Sequence, residues 1–386
     1  MSSQLPRLPE PPGTHGSPEW RWEAGDPITP LIEPAPTPGR FLVTFLWRAR
    51  SADERAVVLI NTLTDKDRHA GDIGGHVMRR VPGSDVLRLT YELDADLRAG
   101  YQILPCAEIP GTDRDSWLRV MLTALPDPGN PVRLPGQHGR NPSSLLELPQ
   151  APAQPYRERR PGVPEGRIHL GEVAGRRIWV YTPPGHGTGP CPVAVLLDGD
   201  SWAELIGPTL DNLIAEGRIP PMVALMPDAV DRESRLREMA CHEPFVRHLA
   251  DEVLPWAGRE YGVTADPALT VVAGQSFGGL TSSYAAFVAP ERFGNVLSQS
   301  GSYWWSDEDP EWLTRRYERA PRLPVRLHVE VGRGEWMLLA ENRRFVQVLA
   351  AKGYEVTLTE YNGGHDPACW LGGLADGLVR LTGGWR

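Results

Sequence analysis

The chain has 386 residues, 41% of them hydrophobic, and a formal net charge of -9; it is long enough to build two cores, and its overall field argues against a nucleic-acid partner. No run approaches the roughly 18 apolar residues of a membrane span, and the amino terminus from Met1 to Pro9 lacks the apolar stretch of a secretory signal, so a cytoplasmic location is expected. Cys106, Cys191, Cys241 and Cys369 are widely spaced, which reads as reduced thiols and neither a disulfide framework nor a metal site.

Residues 1–38 have the composition of a disordered or extended segment. From 39 to 148 short β-type runs dominate: Phe41 to Trp47, Val57 to Ile60, and the alternating Leu87, Leu89, Tyr91 and Leu93, punctuated by turns such as Pro82-Gly83. That pattern predicts a β-sandwich. Residues 149–166 hold Pro149, Pro152, Pro155, Pro161 and Pro164, too many for a helix or a central strand, and read as a semi-rigid linker.

From 167 to 386 the pattern changes to α/β. Strands predicted at Ile178 to Tyr181, Val193 to Leu197, Met222 to Met226, Leu269 to Ala273, Val296 to Leu297, Val325 to Val331 and Val356 to Tyr361 alternate with helices, the clearest with Phe245, Leu249, Val253 and Trp256 on one face. Such alternation specifies a mostly parallel sheet covered on both sides.

One turn in this region carries chemistry. Gly274-Gln275-Ser276-Phe277-Gly278 follows an apolar run and opens a helix whose buried face is Leu280, Tyr284, Phe287 and Val288. That is the context of a nucleophile elbow, which exposes a serine on a strained strand-to-helix turn of an α/β-hydrolase fold. A serine hydroxyl needs a base, and in this fold the order is serine, acid, histidine. Two histidines follow Ser276. His328 lies in a strand-like run, whereas His365 sits in a loop before the last helix, where a base belongs. Glu335, after the penultimate strand, is the expected acid, with Asp366 ranked below it. The oxyanion of acyl attack needs two backbone donors, expected at the N–H groups of Phe277 and, after Asp198-Gly199, of Asp200. A charged stretch, Asp228 to Glu238, is read as a loop on the carboxyl edge of the sheet, where Arg235 and Arg237 offer donor forks to anionic substrate groups.

Together these segments resemble a known family. Val271 to Leu280, Glu291 to Trp305, and Gly363-Gly364-His365-Asp366 are similar to the enterochelin (enterobactin) esterases of bacterial siderophore metabolism, as are Leu196 to Glu204, Arg235-Leu236-Arg237-Glu238, Leu97 to Tyr101 and Asp127-Pro128. The resemblance runs from about Phe41 onward. It implies an immunoglobulin-like amino-terminal module before the α/β-hydrolase domain, and hydrolysis of ferric or apo tris-catecholate trilactones to release iron. Fe(III) would arrive with that substrate, no cofactor is implied, and Trp202, Trp304 and Trp305 are candidates for aromatic walls against catechol rings. Two rival readings are a general carboxylesterase or acyltransferase of the esterase D-like group and a non-catalytic siderophore-binding protein.

Overall fold

A computed structural model describes residues 28–61, 63–136, 140–187 and 189–385. By contact the chain separates into two units: residues to Pro152 together with Asn362–Ala368, and Ala153–Tyr361 together with the chain from Cys369 onward.

The first unit is built from β1 (Leu31–Pro34), β2 (Arg40–Arg48), β3 (Arg55–Ile60), β4 (Arg79–Arg80), β5 (Val86–Asp94), β6 (Arg98–Cys106), β7 (Arg133–Leu134) and β8 (Ser143–Glu147), with helices α1 (Leu63–His69) and α2 (Arg114–Thr123). Antiparallel pairing gives two four-stranded sheets, β1-β2-β5-β4 and β3-β6-β8-β7. Alternate residues of both sheets, among them Val43, Phe45 and Trp47 of β2 and Ala99, Tyr101 and Ile103 of β6, form one buried cluster. That is a sandwich core. Most of the segment 1–38 lies outside the described residues, but its end is ordered. Leu31–Pro34 pairs with Phe41 to Thr44 as an edge strand, a place that tolerates proline. Thr29 donates to the buried Asp127 carboxylate, which also accepts the Tyr101 hydroxyl at 2.7 Å.

Residues 149–166 contain no helix or strand. In the second unit β9 (Arg167–Val173), β10 (Arg176–Thr182), β11 (Val193–Leu196), β12 (Val223–Pro227), β13 (Thr270–Gln275), β14 (Asn295–Gln299), β15 (Arg326–Gly332) and β16 (Glu355–Tyr361) form one sheet in the order β16-β15-β14-β13-β11-β12-β10-β9. The six strands from β16 to β12 are parallel, and β10 and β9 run antiparallel at one edge. Val193 and Val195 of β11 and Val272 of β13 face one core, with α6 (Glu243–His248), α7 (Leu254–Tyr261), α8 (Phe277–Val288), α9 (Trp312–Arg319) and α10 (Leu339–Ala351). Ala194, Leu196, Val271 and Ala273 face the other, against α4 (Ile206–Ala215) and α11 (Pro367–Thr382). The period-2 alternation of strands explains why their runs are apolar throughout.

The stretch Asp228 to Glu238 is not a loop. Arg232–Glu238 forms helix α5, started by Asp231, whose side chain accepts the Ser234 N–H at 2.7 Å. None of its residues is buried, so no apolar periodicity announced it.

Candidate active site

The carboxyl ends of the three neighbouring strands β11, β13 and β14 each turn through a residue with positive φ: Asp198 (59°), Ser276 (58°) and Ser300 (51°). None is glycine. Such conformations cost about 1–3 kcal/mol each and persist only where the surroundings fix them, which marks this edge of the sheet as built for a task.

Ser276 caps α8 at φ 58° and ψ -120°. The turn is tight because a Cβ on Gly274 would lie 2.5 Å from the Gly278 carbonyl carbon. Its ends are tied to the next strand: the Ser276 N–H donates to the Gln299 carbonyl at 3.0 Å, and the Ser302 N–H donates to the Ser276 carbonyl at 3.1 Å. The Ser276 and Ser302 hydroxyls lie 3.4 Å apart. Phe277 opens α8, so its N–H is one of the donors a helix leaves without an internal acceptor. Gln275 and Gln299 are buried beneath the turn and joined at 2.8 Å.

Asp200 lies in α3 (Gly199–Trp202), the short helix that follows Asp198. The Asp198 carboxylate, 5% exposed, receives a two-pronged hydrogen bond from Arg235, Nε at 2.6 Å and Nη2 at 2.8 Å. Burial works against the guanidinium charge, and the Asp198 hydrogen bonds and charge, with Asp200, more than offset it, so that Arg235 is held above its ordinary range. The sequence offered Arg235 to the substrate; the structure joins its fork to the strand end that carries Asp200. Arg237 differs. Its side chain is 55% exposed, with Nη2 3.5 Å from the Glu238 carboxylate.

Glu335 is 3% exposed. Its Oε1 accepts the Ser300 hydroxyl at 2.6 Å, the Gly332 N–H at 2.7 Å and the Tyr361 hydroxyl at 3.3 Å. Ser300 in turn accepts the Trp370 indole N–H at 2.8 Å. Burial, reinforced by the Glu335 charge, holds the Tyr361 hydroxyl well above its ordinary value, so it remains a donor throughout the neutral range. Ser300, Ser302, Tyr361 and Trp370 had no site role in the sequence reading. Buried polar residues at strand ends leave no periodic signal.

Of the aromatic candidates, Trp202 is a core residue: it is 5% exposed and donates to Gln275 at 3.1 Å. Aromatics near a sheet more often fill the core than line a site. Trp305 packs edge-on against Trp312 with ring centres 5.7 Å apart. Trp304 is half-buried and meets Phe277, the residue after Ser276, edge-on at 5.8 Å.

His328 lies buried in β15, bonded to Glu330 at 3.0 Å. His365 sits in Asn362–Ala368, between β16 and the body of α11, a segment whose contacts group it with the first unit. Asp366 in that segment accepts the Ala368 N–H at 2.9 Å and the Gly100 N–H. Among the described residues no group of three or more His, Cys, Asp or Glu is placed to hold a metal ion, and no helix is long and apolar enough to cross a membrane. A cleft of about 440 Å³, lined by prolines and glycines such as Pro184, Gly187, Pro190 and Pro221, opens at the amino ends of the strands, the opposite edge from Ser276. Ligands of open α/β sheets bind at the carboxyl edge.

Comparison with known proteins agrees with this layout. A family model described as "Enterochelin esterase, N-terminal" matches residues 42–157, and one described as "Putative esterase" matches residues 174–381. The iron(III) enterobactin esterase of Dickeya dadantii is 33% identical over 96% of this chain and 94% of its own length. The iron(III) salmochelin esterase of Escherichia coli O6:H1 is 31% identical over 94% of this chain and 93% of its own length. The enterobactin esterase of Shigella flexneri, crystallised in the presence of enterobactin, superposes with a TM-score of 0.81 at 32% identity, covering 95% of this chain and 98% of that one. With both units matched and a serine elbow at the carboxyl edge of the sheet, the chain belongs to the enterochelin (enterobactin) esterase family and is an ester hydrolase.

Proposed function

We propose that the protein opens the ester bonds of tris-catecholate trilactone siderophores of the enterobactin class, ferric or apo, through an acyl-enzyme. The observation that carries this reading is the likeness over both units, sandwich included, to relatives named for that substrate; a general carboxylesterase has no need of the sandwich. Ser276 Oγ attacks the ester carbonyl as His365 takes its proton, and the N–H groups of Phe277 and Asp200 hold the oxyanion. The protonated His365 gives its proton to the departing seryl oxygen. Water, deprotonated by His365, then attacks the acyl-enzyme and leaves the catechoyl-serine acid with Ser276 restored. Glu335 supports the imidazolium, and the neutral donors on its Oε1 fix the carboxylate without removing its charge. No cofactor is required in this scheme, and Fe(III) enters as part of the substrate. Opening the ring unties catecholates that had been preorganised around the metal, so their effective concentration falls and iron can leave. The wide spacing of the four cysteines, read as reduced thiols, supports the cytoplasm as the compartment.

Substrate preference tests the reading. The catecholate trilactone should be turned over with a kcat/KM far above that of small neutral aryl esters; equal values would favour a general carboxylesterase.

The two arginines should separate. Arg235→Lys keeps the charge but loses the fork, and should lower kcat/KM on a neutral aryl ester and on the ferric trilactone by the same factor, because the fault lies in the strand end carrying Asp200. Arg237→Ala should raise KM for the anionic ferric substrate alone, with an effect that salt diminishes. Steady-state kinetics on the two esters decides both.

A further inference from the structure

The segment that carries His365 is fixed by main-chain and side-chain donors of the sandwich. Arg98, at the start of β6, donates its N–H to the Asn362 carbonyl at 3.1 Å. Asn362 donates its side-chain amide to Asp96 at 2.6 Å. Gly100 donates its N–H to the Asp366 carboxylate, and a Cβ there would stand 3.1 Å from both carboxylate oxygens. The space a side chain would occupy is given to Asp366. Asn61, which follows β3, donates its side-chain amide to the His365 carbonyl at 2.8 Å, and its own N–H is tied to the Gly100 carbonyl at 3.0 Å. Thus the β3 and β6 ends together hold the backbone of His365 and the side chain of its neighbour Asp366. The motif Leu97 to Tyr101, far in sequence from the serine, acquires a use by this arrangement.

We propose that Asn61 is a positioning residue of the hydrolytic reaction: its amide, with the Gly100–Asp366 bond, sets the backbone from which the His365 imidazole projects. The inference rests on His365 being the base. An exposed asparagine bonded to a loop carbonyl adds little to fold stability, whereas a base displaced by about 1 Å can cost on the order of 100-fold in rate.

Four full-length proteins test it on a small neutral aryl ester: wild type, Asn61→Ala, Asn61→Asp and His365→Ala. Asn61→Ala should lower kcat by roughly tenfold with KM and melting temperature unchanged, since the amide bond restrains geometry and not substrate affinity. Asn61→Asp fills the same volume but offers the His365 carbonyl no donor, so it should lose at least as much; its recovery to wild-type kcat would reduce Asn61 to packing and overturn the proposal. Wild-type kcat in Asn61→Ala beside an inactive His365→Ala would also overturn it while leaving the base assignment standing. An active His365→Ala would remove the base assignment itself, and the positioning role with it.

Discussion

Replacing Ser276 by alanine should lower kcat by on the order of 10⁴- to 10⁶-fold on every ester, with the folded protein and its affinity for the trilactone retained. The change is local. Alanine meets the same positive-φ strain as serine at this turn, the Gln299 and Ser302 main-chain bonds that hold the turn do not involve the hydroxyl, and Phe277 keeps its N–H. Only the nucleophile is lost. Burst and steady-state kinetics of the variant, with trilactone binding followed by fluorescence quenching, provide the check. Retention of more than about a hundredth of wild-type kcat would remove Ser276 from the role.

The second large effect is expected at Glu335. In Glu335→Gln the three donors on Oε1, from Ser300, Gly332 and Tyr361, select the orientation in which the amide oxygen replaces that carboxylate oxygen. The side chain therefore stays in place but loses its charge, and the NH2 that replaces its second oxygen donates where the carboxylate could accept an imidazole N–H. By analogy with other triads, kcat should fall by about 10²- to 10⁴-fold with little change in KM. Asp366→Asn is the comparison. Its carboxylate accepts main-chain N–H groups of Gly100 and Ala368, of which an amide oxygen can take over one role well, so its loss should be smaller and should resemble that of Asn61→Ala. Near-normal turnover in Glu335→Gln beside a crippled Asp366→Asn would exchange the two assignments.

Much of this was legible from sequence because the features concerned are local. The parallel strands announce themselves as continuous apolar runs since each has a core on both faces, as Val193 to Leu196 does. The elbow is legible because its turn geometry demands glycine at Gly274. β9 escaped because it is an antiparallel edge strand, Arg167–Val173, with no buried residue. α5 escaped for the same reason: a helix that buries nothing has no apolar face to detect. The Arg235–Asp198 pair joins residues 37 positions apart, and sequence supplies charges without saying which will meet. The burial of Trp202 was not legible, because an indole bonded to a buried glutamine and an indole beside a ligand look alike in a string of letters. The membership of Asn362–Ala368 in the sandwich unit depends on bonds to Asp96, Arg98 and Gly100, more than 260 positions away, and no local pattern foretells it.

The measurement that bears most directly on the central claim is liquid chromatography of a ferric catecholate trilactone after incubation with the wild-type protein, with the iron-free trilactone run in parallel. The macrocycle should disappear as linear and then monomeric catechoyl-serine acids grow at a rate proportional to enzyme. A macrocycle that persists intact in both forms, while small aryl esters are cleaved in the same preparation, would contradict it.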